Sequence, residues 1–234
     1  MSTPNANIAG FTGSVGAYDF TLGADGLFAL PLSSGWGLQA DGIASFTGEE
    51  NYYGGAAHLF TRDPKQGFIG AYVSDVGWGL SDYDQYWAPS AMQTIGQAGG
   101  EAGIYLGRFT VRGAAAYQFG TDTGAAALAK VAFYARDDLK VEGGLSYIQG
   151  LGNGYNADVE WSPTGGPSFF AEAAANSQSG SVLVGVKAYF GDLGKSLIRR
   201  EREDYLPDDL YTIVGNGFCP LGAHEMNGFC DGNS

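Results

Sequence analysis

Eleven charged side chains carry most of the chemistry this sequence could do: Asp41, Glu101, Arg112, Lys130, Arg136, Lys140, Glu142, Asp158, Glu160, Glu172 and Lys187. Several recur at every second position. Lys140 and Glu142 alternate with Leu139, Val141 and Gly143, and Asp158 and Glu160 alternate with Ala157, Val159 and Trp161. On an extended chain successive side chains point to opposite faces, so this spacing collects the charges on one side of a sheet. Mixed signs on consecutive strands favour cross-strand ion pairs and hydrogen-bond networks. Glu142, Asp158, Glu160 and Glu172 would form an acidic wall within that face. Enclosed groups of this kind either fill the space and fix strand register, or line a water path with a weak preference for cations.

Catalytic chemistry finds less support. The sequence has no G-x-S-x-G elbow, and His58 and His224 are its only histidines. His58 reads as a hydrogen-bonding wall residue, with a hydrolase in the wall as the remaining catalytic alternative. The Asp158/Glu160 spacing is common and nonspecific as an acid/base pair. Gly150–Gly154 (GLGNG) has no following helix to hold a phosphate, so no dinucleotide cofactor is expected. The reading is therefore a protein without enzymatic activity, cofactor or metal. Cys219 and Cys230 each follow Asn-Gly-Phe, and a pair in an exported protein reads as one disulfide closing a small loop. A zinc site there would have His224 alone to complete it, which is too few ligands.

The elements that would position the charges are strands. Ser181–Phe190 is the clearest: Val182, Val184, Val186, Ala188 and Phe190 fall on one face, Leu183, Gly185, Lys187 and Tyr189 on the other. One continuously apolar face opposite a mixed one divides two solvents. The same alternation recurs along about twelve segments, the first read as Ile8–Leu22 with a turn at Gly23–Gly26 and the second as Leu27–Leu32. The fold class is all-β: a single-chain antiparallel transmembrane β-barrel over residues 1–190, followed by a periplasmic C-terminal extension, 191–234. An even strand number puts both termini at one end. Ser33–Gly35, Arg62–Lys65, Leu106–Arg108, Asp137–Asp138 and Ser162–Pro167 would be the periplasmic turns at that end, and Gly79–Met92 the longest outer loop. Aromatics divide into two bands, as at membrane interfaces. Trp36, Phe60, Phe68, Phe109, Phe133, Trp161 and Phe190 lie beside the turns, and Trp78, Tyr117, Tyr147 and Tyr155 toward the other end.

Composition agrees. Charged residues are 16% of the chain, Gly occurs 39 times, and Tyr and Phe 14 times each. No apolar run approaches the length of a membrane helix, but barrels carry their hydrophobicity in alternation. A net charge of −13 argues against nucleic acid as a partner. The start, MSTPNANIAG, lacks the basic and apolar regions of a signal peptide, so for an exported protein that peptide falls outside this numbering. Expected partners are outer-membrane lipid, with oligomerisation left open. After Phe190 the character changes: Lys195–Asp204 (KSLIRRERED) is a dense charge run. It reads as a solvated face or as a contact with peptidoglycan, lipid headgroups or an envelope protein.

Gly37–Trp78, with its HLFTRDP turn, Gly103–Gly120 and Val184–Asp204, with its GKSLIRRERED run, resemble a largely uncharacterised family of proteobacterial, porin-like outer-membrane barrels. The resemblance implies location and fold and supplies no substrate or catalytic residues. Two roles stay open: a structural or interaction protein whose tail docks a partner, and a small channel.

Overall fold

The computed structural model describes residues 3–15, 19–33, 35–47, 50–80, 93–120, 123–149, 152–163, 165–176, 180–192, 194–207, 224–226 and 229–231. The alternation becomes twelve strands: β1 (Asn5–Val15), β2 (Asp19–Ser33), β3 (Trp36–Thr47), β4 (Glu50–Asp63), β5 (Gly67–Leu80), β6 (Gln93–Leu106), β7 (Phe109–Gly120), β8 (Gly124–Arg136), β9 (Leu139–Ile148), β10 (Gly152–Trp161), β11 (Ser168–Asn176) and β12 (Gly180–Phe190). Each pairs antiparallel with the next, and β12 pairs with β1 to close the barrel. The seam runs from Ala6 opposite Phe190 to Val15 opposite Ser181. Closure leaves no unpaired edge in lipid, which is the condition for a sheet to span a bilayer.

The apolar face of β12 points outward as expected. Val182, Val184, Val186 and Phe190 are exposed, while Leu183 and Tyr189 are buried inside. Around the ring Ile8, Leu22, Leu38, Leu59, Ile69, Ile104, Val131, Val141 and Val159 are also exposed. In water so wide an apolar belt would be an aggregation surface; in hydrocarbon it is the stable one. Tight turns hold the terminal end together. Gly107, at φ +61, supplies the left-handed residue in the two-residue link from β6 to β7.

Two expectations are corrected. In the first hairpin β1 ends at Val15 and β2 starts at Asp19, so Gly23–Gly26 is not its turn but lies in mid-strand opposite Ile8–Phe11. The Gly-Ala-Asp-Gly run has turn chemistry, but pairing with β1 and β3 on both sides keeps it extended. Phe60 and Phe68 are not in the outer aromatic band. Both point inward, Phe60 at 1% exposure, and pack with Tyr105 and Leu206. Trp36, Phe109, Phe133, Trp161, Phe190, Tyr117, Tyr147 and Tyr155 are exposed on the outer surface. Phe109 and Phe133 pair across strands with centroids 4.8 Å apart, and Trp161 and Phe169 at 6.4 Å. The Trp78 side chain lies outside what the structure describes.

Beyond β12, Ser196 leads into a short helix, α1 (Leu197–Glu203). His224–Met226 and Phe229–Asp231 form a two-stranded ribbon, β13 and β14. Cys219 and the Cys230 side chain lie outside the described residues, and so does the disulfide expected between them.

Candidate functional site

The lumen has two chemically distinct sides. On β3, β4 and β6 alternation brings Asp41, His58 and Glu101 together. His58 Nε2 lies 2.8 Å from Asp41 and Nδ1 2.8 Å from Glu101, with Tyr72 stacked on the ring at 5.7 Å. Both nitrogens face carboxylate oxygens, and only the doubly protonated ring donates to both. With a carboxylate at each nitrogen, the ring presents neither of them to a nucleophile, and it faces inward, away from lipid.

On β7 to β12 the charges interleave. Arg112 donates to Glu142 at 2.9 Å, with Lys130 3.6 Å from the same carboxylate. Lys140 lies 3.0 Å from Asp158 and 3.8 Å from Glu160, which Lys187 also approaches at 3.8 Å. Ser168 and Tyr189 donate to Glu160 as well. The expected acidic wall is thus threaded by cations, which removes the unbalanced field that would favour cations in transit. A cavity of about 80 Å³, room for several waters, lies among these charges, with Asp25 and Glu172 also in its wall and Leu197, Glu201 and Tyr205 from beyond β12 closing it.

Ten of the eleven charges named from the sequence face inward on these two sides. Arg136 does not. Pairing between β8 and β9 shifts register between Tyr134 and Arg136, so the parity that points Tyr134 inward is lost two residues later. The Arg136 side chain is 69% exposed and forks onto Asp138 at the turn, at 2.9 Å.

The charge run after β12 is not a free face. It folds back into the terminal mouth of the barrel. Leu197 packs against Leu27, Ala29, Ala132, Tyr134 and Tyr189. Arg200, fully buried, donates to the Lys195 and Gly165 carbonyls and lies 4.2 Å from the centre of the Tyr189 ring. Tyr134 donates to Glu201, Lys195 pairs with Asp204, and Arg202 donates to the Gly107 carbonyl at 2.6 Å. At the end of the segment Leu206 is fully buried. Gln39 holds it from both sides: the Leu206 N–H donates to Oε1 at 2.7 Å, and Nε2 donates to the Leu206 carbonyl at 3.0 Å. The Tyr205 phenol, stacked on Tyr189, is pushed up to about 12 by burial. On the outer side of α1 the Glu203 carboxyl is held below its usual range by the hydrogen bond from Arg199.

Sequence reasoning missed Gln39, Tyr134, Tyr189, Arg200 and Leu206. One signal was present: Leu197, Arg200, Glu201 and Asp204 recur at helical spacing, and all four are buried. A helix with both faces charged conceals which face packs. Tyr134 and Tyr189 sat on the inward parity, but as neutral residues on the same faces as Lys130 and Lys187 they did not stand out.

A closed twelve-stranded ring, apolar outside and polar within, is an outer-membrane β-barrel. No protein-family model matches the chain, and no curated protein matches it. Solved structures similar to it include the KdgM porin (12% identity over 79% of this chain and 99% of that one, TM-score 0.60). Others are the COG4313 outer membrane channel from Pseudomonas putida F1 (10%, 80% and 96%, TM-score 0.56) and the outer membrane phospholipase A from Escherichia coli (14%, 82% and 97%, TM-score 0.53). At these identities the likeness is one of fold. The resemblance drawn from the HLFTRDP and GKSLIRRERED stretches therefore holds for the barrel architecture, without sequence support for a particular family.

Proposed function

We propose that the protein is a porin-like passage for small polar solutes across the outer membrane, closed at its terminal end by its own segment 195–207. The observation that carries this reading is the seating of Leu206 between the two ends of the Gln39 amide. A barrel kept only for its wall would need no such stopper, because side chains alone can be enlarged to fill a lumen. The contacts to the wall are a handful of hydrogen bonds, two cation–π contacts and the apolar packing of Leu197, Tyr205 and Leu206, all at one mouth, a set that can be released without unfolding the ring. The paired lumen charges predict little selectivity by sign. KdgM porin and the COG4313 channel, by their names, are a porin and a channel, which agrees with this reading. The segment takes the place that an envelope partner was expected to fill.

The test is conductance in planar bilayers. The full chain is expected to be mostly silent, with rare openings, and a variant ending at Gly194 to conduct steadily. Silence from both, with heat-modifiable mobility showing an intact barrel, would replace the channel with a purely structural role.

A further inference from the structure

Arg62 is the one residue of the HLFTRDP stretch that the closed barrel leaves without an explanation. It lies near the terminal end of β4, 6% exposed, and Nε, Nη1 and Nη2 are all buried without a hydrogen-bond partner among the described residues. Its guanidinium rests on the Phe60 ring at 4.9 Å, with Phe68 at 6.0 Å. Those rings and Tyr105 are the surface on which Leu206 sits. Three further donors around them are buried and have no partner among the described residues: the Tyr105 hydroxyl, the Thr110 hydroxyl opposite it in register, and Nε of Arg202, whose guanidinium lies 5.1 Å from the Tyr105 ring. Cation–π contact recovers part of the desolvation cost of a guanidinium and satisfies none of its N–H groups.

We infer that Arg62, with Tyr105 and Thr110, is a binding site for a phosphate- or carboxylate-type oxyanion, and that anion binding competes with seating of residues 195–207. The fork of Arg62 matches the paired oxygens of such an anion, and the two hydroxyls supply further donors. Competition follows from what the seated segment brings. Glu201 and Asp204 act on Arg62 through space, but their hydrogen bonds go to Tyr134 and Lys195. Leu206 covers the surface beside the guanidinium with an alkyl group. Seating therefore strips water from Arg62 and returns only distant charge, whereas an anion arriving at an unseated mouth returns both charge and hydrogen bonds. Glu201, Asp204 and Arg202 leave with the segment, and the anion takes the place of the two carboxylates.

This inference rests on residues 195–207 being displaceable, and the experiment separates the two. Hydrogen exchange is followed at the Leu206 amide of the full chain in a zwitterionic detergent, with inorganic phosphate against chloride at equal ionic strength. When phosphate stands at about ten times its Kd, linkage raises the unseated fraction, and with it the exchange rate, about tenfold. A parallel arm in phosphatidylglycerol nanodiscs without free phosphate identifies a lipid headgroup as the source if acceleration occurs there alone. Arg62→Gln is expected to remove the response, and Arg62→Lys, which keeps the charge without the fork, to weaken it; heat-modifiable mobility confirms that both have folded. An amide that exchanges only by global unfolding overturns the displaceable segment itself. An amide that exchanges locally but ignores both anions, responds equally in Arg62→Gln, or slows with phosphate overturns the site.

Discussion

Replacing Gln39 with Ala should unlatch the segment while leaving the barrel intact. Gln39 is fully buried and gives Leu206 one acceptor and one donor, at 2.7 and 3.0 Å. Each such bond contributes about 1 kcal/mol net, but truncation strands a buried N–H and a buried C=O, so the loss on seating is about 2–4 kcal/mol. At about 1.4 kcal/mol per decade that reduces the seated-to-unseated ratio about 30- to 700-fold. Asp41 also loses a donor, since Gln39 Nε2 reaches Oδ1 at 2.9 Å, but His58 remains on its other oxygen. The barrel's ladder of backbone bonds does not involve the side chain. The assay is single-channel recording with hydrogen exchange at Leu206 on the same preparation. Open time and exchange should rise together, with heat-modifiable mobility unchanged. A Gln39→Ala protein that stays as silent and as protected as the parent would refute the idea that this amide is the latch.

Three further outcomes probe the rest of the molecule. Glu142→Gln leaves Arg112 and Lys130 without their shared carboxylate and should cost about 3–5 kcal/mol of barrel stability, read as a lower midpoint of the heat-modifiable transition. Val184→Arg on the lipid face should cost about 2–4 kcal/mol in a bilayer if that position lies near mid-depth, and the penalty should fall in detergent, where the side chain reaches water. Arg136→Ala should change stability by less than about 0.5 kcal/mol, because its pair with Asp138 is exposed; a larger loss in urea unfolding would return Arg136 to the lumen.

The barrel was legible because lipid on one side and a polar lumen on the other impose a period-two code on every strand. Ser181–Phe190 states that code completely, and its valines do face outward. The code fails where something other than the two solvents decides orientation. Arg136 follows a register shift, which no alternation rule contains. Phe60 and Phe68 read as interface aromatics because they lie at the right height, but height does not fix side: both turn inward to receive Leu206. That occupant is far away in the sequence, 167 positions from Gln39, so no local pattern announces it. The two stretches that looked most specific, HLFTRDP and GKSLIRRERED, supply the floor on which Leu206 sits and the helix that carries it there.

Whether the charge network holds the segment, or the segment holds the network, turns on Tyr189. Its hydroxyl donates to Glu160, while its ring receives the Arg200 guanidinium on one contact and stacks with Tyr205 at 6.3 Å and 11° on another. The two functions separate chemically. Tyr189→Phe keeps both ring contacts and removes one donor from a carboxylate that retains Ser168, Lys140 and Lys187, so it should cost about 1–2 kcal/mol of barrel stability and leave the segment seated. Tyr189→Ala removes the same donor and also the ring, with loss of the cation–π contact and of packing against Leu197. If the segment is held by the ring, only the alanine variant should conduct and lose protection at Leu206. Equal conductance from both variants would show that Glu160 governs seating through its hydrogen bond to Tyr189, and that the lumen charges control the stopper.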